Sequence, residues 1–334
     1  MLNRTFLVLT FALFGAPASA EPVADFYKGK TVTVSVGLSA GGEYDLQTRL
    51  IARHIGRHIP GSPTVIAQNM VGAGGMTHAN YLYNLAPKDG TYLGVIQNAL
   101  PVTQAVGLPG RQFDSGKFNW IGSIAPTVET LAVWHTSGVR TIEDARRKEV
   151  AVGAAERGGI SDTFPRILNE FAGTKFKVVI GYPGGNDVNL AMERGELGGR
   201  NNTWSSWKFT KRNWLTEKLI TILAFEGPRP VDIGDVPSVQ DFAKSEEDRQ
   251  TIRLITAGTQ FGRPLAAPPG VPADRVAALR TAFLATLQDP EFIKEALAGD
   301  IEIAPVTGEM LQGVSESIVS LPQSVKLRAR NLME

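Results

Sequence analysis

At 334 residues the chain is long enough for two domains with cores of their own, and its 43% hydrophobic and 20% charged content is that of a globular protein. It has no cysteine, which excludes disulfides, thiolate metal sites and cysteine nucleophiles. Apart from Arg4, which belongs to the leader described next, it carries 33 basic and 33 acidic residues. That balance lacks the basic excess of a nucleic-acid binder, so no nucleic acid is expected as a partner.

Residues 1–20 read as a secretory leader. Arg4 supplies the positive start, 6–14 the apolar stretch, and Ala18-Ser19-Ala20 a small-residue cleavage site. Cleavage after Ala20 and export follow as expectations. The leader is too short to span a bilayer, and no later stretch approaches ~18 uninterrupted apolar residues. Residues 31–38 (TVTVSVGL) alternate as a strand, and 46–59 follow as a helix with Leu46, Leu50, Ile55 and Ile59 on one stripe. His54 and His58 on that helix have metal-like spacing but lack the acidic residue of a zinc-protease motif, and read as solvated. A strand at 64–68, a helix at 76–85 and a strand at 92–97 complete an order that predicts a parallel, doubly wound sheet.

Short strands are predicted at 119–123 and 130–135, with the first crossing between domains near them. The second half repeats the rhythm: strand 150–154, helix 161–171, strand 176–181, helix 187–194 and strand 219–225. A charged segment at 241–249 reads as a solvated face, and 253–257 should return the chain to the first domain. Pro272 suits the first position of a helix that buries Val276, Leu279, Phe283 and Leu287. Two further short helices and a strand at 301–303 are expected to end the chain. The resulting division is 21–123 plus 256–334 as the first lobe and 124–255 as the second.

Four Gly-Gly loops stand where a strand gives way to a helix: 39–45, 72–77, 157–162 and 183–187. Glycine admits φ > 0 and close approach to a ligand, and a helix start offers unpaired N–H groups and a positive dipole end. Together they make anion cradles that need no metal, cofactor or catalytic side chain. In an open parallel sheet this is also the ligand-binding edge. The first-lobe candidates are Gly41, Gly42, Tyr44, Asp45 and Asn69, with Gly72, Ala73, Gly74 and Gly75. Those of the second lobe are Arg157, Gly158, Gly159 and Ser161, then Gly184, Gly185 and Asn186, and finally Arg200, Asn201 and Trp204. Asp45, Asp162 and Asp187 also fit helix capping, and arginine can hold a carboxylate bidentately. Ser161 has no nucleophile-elbow frame, and no nucleophile–base pair is visible, so an enzyme is not expected.

These residues resemble the extracytoplasmic solute receptors of tripartite tricarboxylate transporters, the Bug/TctC-like family. The resemblance runs over residues 32–308. It rests on Ala40-Gly41-Gly42 with Asp45, on Gln68-Asn69-Met70-Val71-Gly72-Ala73-Gly74-Gly75, on Ala86-Pro87-Lys88-Asp89-Gly90, on Tyr182-Pro183-Gly184-Gly185, and on Ala267-Pro268-Pro269-Gly270-Val271-Pro272-Ala273-Asp274. It implies a periplasmic binding protein fold: two α/β lobes joined by a hinge, with the ligand cleft between them. It also implies a monomer that captures a small organic acid and delivers it to a membrane permease of two subunits. A receptor reporting its ligand to a membrane sensor, or an exported enzyme acting on an organic acid, are the alternatives. This chain has Ser39-Ala40 where a Pro-rich approach is usual, and Glu43-Tyr44 inside the first loop.

Overall fold

The computed structural model describes residues 22–299 and 301–334. The leader and its cleavage site lie outside the described residues. Valine at alternate positions builds β1 (Thr31–Val36), whose Val32, Val34 and Val36 are all buried. A strand covered on both faces belongs at the middle of a parallel set, and β1 pairs in parallel with β2 (Thr64–Asn69) on one side and β3 (Tyr92–Val95) on the other. β4 (Asn119–Ser123) lies two places beyond β3.

The second sheet starts with β5 (Glu129–Trp134). β6 (Val150–Ala154) then takes the central place that β1 holds in the first, parallel to β7 (Phe176–Ile180) and β8 (Gly199–Thr203). β9 (Ile220–Glu226) closes the far edge, antiparallel to β5. The chain then returns, and β10 (Leu265–Ala267) inserts antiparallel between β3 and β4, while β11 (Val306–Thr307) pairs antiparallel with β4. The orders are β2-β1-β3-β10-β4-β11 and β7-β6-β8-β5-β9. The two sheets are wired alike: three parallel strands followed by antiparallel ones. Each is therefore mixed, and the all-parallel expectation holds for three strands of each.

Local chemistry explains most element ends. Gly42 precedes the helix Glu43–Ile55, and capping boxes at Thr141/Asp144 and Ser245/Asp248 start the helices Ile142–Arg147 and Glu246–Thr256. The helix Ala273–Gln288 begins after Pro272 and buries Val276, Leu279, Phe283 and Leu287. Three findings correct the sequence reading. The strand expected at 301–303 is absent; the pairing segment is β11, where Val306 sits beside Ser123. Among the described residues three helices follow Gln288, namely Pro290–Ala298, Gly308–Ser320 and Gln323–Met333. His54 is buried rather than solvated. Its Nε2 lies 2.7 Å from Glu295 Oε2, and His58 Nε2 lies 2.8 Å from Asp289 Oδ2, so both tie the helix Glu43–Ile55 and the turn after it to the helix Pro290–Ala298 and its cap.

The strands of the first sheet all come from 21–123 and 256–334, and those of the second from 124–255. The last helix crosses this pattern. Gln323–Met333 packs on the helices Glu246–Thr256 and Ile160–Ile167, burying Val325, Ala329 and Met333, and Arg328 donates to Asp248 at 2.6 Å.

Candidate functional site

The loops after β1 and β6 have one design. Gly41-Gly42-Glu43-Tyr44-Asp45 with Arg49 and Gly158-Gly159-Ile160-Ser161-Asp162 with Arg166 share the spacing G-G-x-x-D-x-x-x-R. The first glycine is left-handed in both, at φ +85° and +76°. The second is extended and precedes the helix. The N–H of the first glycine donates to the aspartate, Gly41 to Asp45 at 3.0 Å and Gly158 to Asp162 at 2.8 Å. The arginine one turn on holds the same carboxylate, with Arg49 Nε 3.0 Å from Asp45 and Arg166 Nε 2.7 Å from Asp162. Asn69, at the end of β2, adds a 2.9 Å bond to Asp45. Asp45 is thereby saturated by its own loop, the helix that follows and β2. Although burial raises its pKa, the bonds from Arg49, Gly41 and Asn69 outweigh that effect and lower it overall.

The four glycine loops meet in two pairs across the gap between the sheets. The β1 loop touches the loop after β7: Ser39 Oγ donates to Asp187 at 2.6 Å, and Gly41 faces Asn186. The β2 loop touches the loop after β6, where Glu156 reaches both Gly74 and Gly159. Beside the first pair lies a cavity of about 90 Å³, small enough to hold a few waters or a small solute.

Two arginines line this cavity, and their situations differ. Arg263 pairs with Glu43, and both are buried. The Glu43 carboxylate also accepts from Thr203 Oγ1 at 2.6 Å, Gln47 Nε2 at 2.7 Å and Ser205 Oγ at 2.9 Å. Thr203 and Ser205 come from the second sheet's side, so this network bridges the lobes. The Arg263 guanidinium also stacks 4.9 Å from the Tyr44 ring centre. Arg200, on β8, meets neutral acceptors instead: Nε donates to the Asn201 carbonyl at 3.0 Å, and Nη1 donates to Asn189 Oδ1 at 2.9 Å and to the Gly185 carbonyl. Burial pushes its pKa down to about 10; Glu129 and Glu43 act in the opposite direction from beyond ion-pair distance. Glu129, buried at the start of β5, is raised by burial, with Arg263 and Asn201 opposing. Among the described residues the cavity thus holds one ion pair, whose Arg263 Nε is left without a hydrogen bond, one cation not paired with a carboxylate and one carboxyl biased toward its neutral form.

Of the residues singled out in the sequence, Gly42, Tyr44 and Ser161 line this cavity, as do Gly184, Gly185, Asn186, Arg200 and Asn201. Gly41 stands just outside it against Asn186. Asp45 and Asn69 brace the first loop from behind. Gly72, Ala73, Gly74 and Gly75, with Gly158 and Gly159, form the second loop pair, off the cavity wall. Arg157 is exposed and donates to the carbonyl of Glu334. Trp204 lines a separate groove of about 510 Å³ between Pro126, Pro228 and Ile301, where its Nε1 donates to Asp232 at 2.7 Å. Glu43, Glu129, Arg263 and Glu156 were not among the candidates. Their only sequence signal is a charge inside or beside an otherwise apolar or glycine-rich run.

No protein-family model matches the chain. An Agrobacterium vitis protein described as the UPF0065 protein in the TAR-I ttuE-ttuC' intergenic region is 26% identical over 189 residues, 53% of this chain and 52% of that protein. The chain therefore spans about half the length of the curated relative it matches. Among solved structures, the periplasmic binding protein BugD superposes with a TM-score of 0.74 at 18% identity, covering 92% of this chain and 99% of that one. The chain has the periplasmic binding protein fold. MatC from Rhodopseudomonas palustris, solved with bound malate, gives a TM-score of 0.71 at 19% identity over 91% of this chain and 99% of its own. In this chain the fold brings four glycine loops to the gap between the two sheets.

Proposed function

We propose that this protein is a periplasmic solute receptor that captures a small organic carboxylate at Arg200 and delivers it to a two-subunit permease of the tripartite tricarboxylate type. The observation that carries the reading is Arg200: a guanidinium buried in the cavity at the meeting of two loops, bonded only to neutral oxygens. A buried cation without a counter-ion is costly, and a solute carboxylate supplies that counter-ion through charge-assisted bonds. MatC, of the same fold, holds malate, which supports the ligand class.

Residues 21–123 plus 256–334 form one lobe and 124–255 the other, and closure is driven by contacts that exist only when solute joins them. The leader is removed after Ala20. The receptor works as a monomer, without cofactor or catalysis. A thermal-shift screen of organic acids on the purified protein tests the reading. Stabilisation by at least one small carboxylate, lost in Arg200→Gln, is the expected result. Failure of every organic acid to stabilise the protein sinks it.

A further inference from the structure

The second pair of glycine loops closes around a carboxyl group that the protein itself provides. A Cβ placed on Gly74 would stand 2.0 Å from Glu156 Oε2, and one on Gly159 only 1.8 Å from Oε1. Both positions therefore admit only glycine while that side chain lies between them. Gly74, at φ +59°, follows Ala73 at +45° and precedes Gly75 at +93°, so the β2 loop runs through three successive left-handed residues to reach this contact. A non-glycine residue in that region is strained, and such strain marks sites where the backbone is held for a purpose. Oε2 of Glu156 is buried and has no hydrogen-bond partner among the described residues. Burial, with the nearby Asp162 charge, lifts this carboxyl to about 8, so it stays neutral at neutral pH.

The plugged space adjoins the cavity. Ala155, next to Glu156 in the chain, lines the cavity wall, and so does Ser161. Gln97 lines it too and lies against Gly75. Without the Glu156 side chain, the cavity edge would open onto the Gly74 and Gly159 backbones. Successive backbone N–H groups in a turn make anion-binding concavities, and in this turn the Gly75 N–H is already given to the Gly72 carbonyl.

We infer that Glu156 is a specificity-determining plug: its carboxyl fills the place between the β2 and β6 loops where a second carboxylate of a solute would lodge, and restricts the receptor to solutes bearing one carboxylate, held at Arg200. This inference rests on the reading of the cavity as a carboxylate site. Exclusion acts by volume while the group is protonated and additionally by charge once it ionises.

Butyrate and succinate form a matched pair, since one terminal methyl of the first is a carboxylate in the second. Calorimetric titration of both at neutral pH into the wild type, Glu156→Ala and Glu156→Gln tests the inference. The wild type should prefer butyrate at least tenfold. Glu156→Ala should shift the ratio at least tenfold toward succinate. Glu156→Gln keeps both the volume and the neutrality, and should retain the wild-type ratio. A wild type that prefers succinate overturns the inference whether or not the alanine variant folds. So does a folded Glu156→Ala with an unchanged ratio, or a glutamine variant that shifts as far as alanine. Wild-type binding of either acid with no shift defeats the plug alone; binding of neither acid, nor of any other in the thermal screen, defeats the receptor reading with it.

Discussion

The β1 and β6 loops share a backbone, an aspartate staple and an arginine one turn on, yet they sit in opposite surroundings. The β1 loop carries Glu43 and Tyr44 into a polar cavity with Arg263 and Arg200. The β6 loop is packed: Leu108 lies where a Cβ on Gly158 would go, Met333 of the last helix is close by, and Glu156 fills the remaining gap. The staple therefore fixes the loop's shape and not its use. Use is set by the two residues after the glycine pair, Glu43-Tyr44 against Ile160-Ser161, and by what other elements bring to the loop.

Breaking the polar end should have the largest effect. Arg263→Leu leaves Glu43 buried without its cation, and stability should fall by about 3–5 kcal/mol, read from urea denaturation. At the packed end Glu156→Gln should cost far less at neutral pH, because the group there is already neutral. Arg200→Gln should weaken carboxylate binding by about 1.5–3 kcal/mol, roughly ten- to a hundredfold, as expected for lost hydrogen bonds to a charged group. Its stability should fall less than that of Arg263→Leu, since no buried acid is orphaned; titration and denaturation of one preparation separate the two effects.

The paired staples offer a finer comparison. Asp45→Asn and Asp162→Asn should each cost about 1–3 kcal/mol of stability, because each leaves an arginine and a glycine N–H poorly matched. Asp45→Asn should weaken solute binding the more, since its loop gives Gly42, Glu43 and Tyr44 to the cavity wall and the Asp162 loop gives Ser161. A last comparison concerns pH. Glu156 is raised from 4.5 to about 8, so the native state keeps a proton that the unfolded chain releases. Its contribution is complete below pH 4.5 and is lost as pH rises through about 8. Urea midpoints at pH 5, 7 and 9 should fall more steeply in the wild type than in Glu156→Gln. Asp45 acts with the opposite sign: its pKa is lowered, so its stabilisation is present above its ordinary 3.8 and is lost on acidification through and below that value.

Much of the framework was legible because it is local. β4 and β6 match the expected 119–123 and 150–154, and all four glycine loops follow parallel strands as their position in the sequence implied. What escaped is short or non-local. β10 has three residues and β11 two, too few for any period, and their neighbours decide their pairing. Arg263 meets Glu43 across 220 positions, and no spacing rule reaches that far. Glu156 precedes its glycine pair by only two residues, yet it gains its role from Gly74, contributed by the other sheet. His54 read as solvated because its partner Glu295 comes from a helix 241 positions away.

In the proposed receptor a solute carboxylate completes the charge balance around Arg200. Titrating the thermal-screen acid that stabilises the protein most into the wild type and into Arg200→Gln tests it most directly. The wild type should bind at one site per chain, and a variant that keeps its fold should bind at least tenfold more weakly. Equal affinity in the two proteins would contradict it.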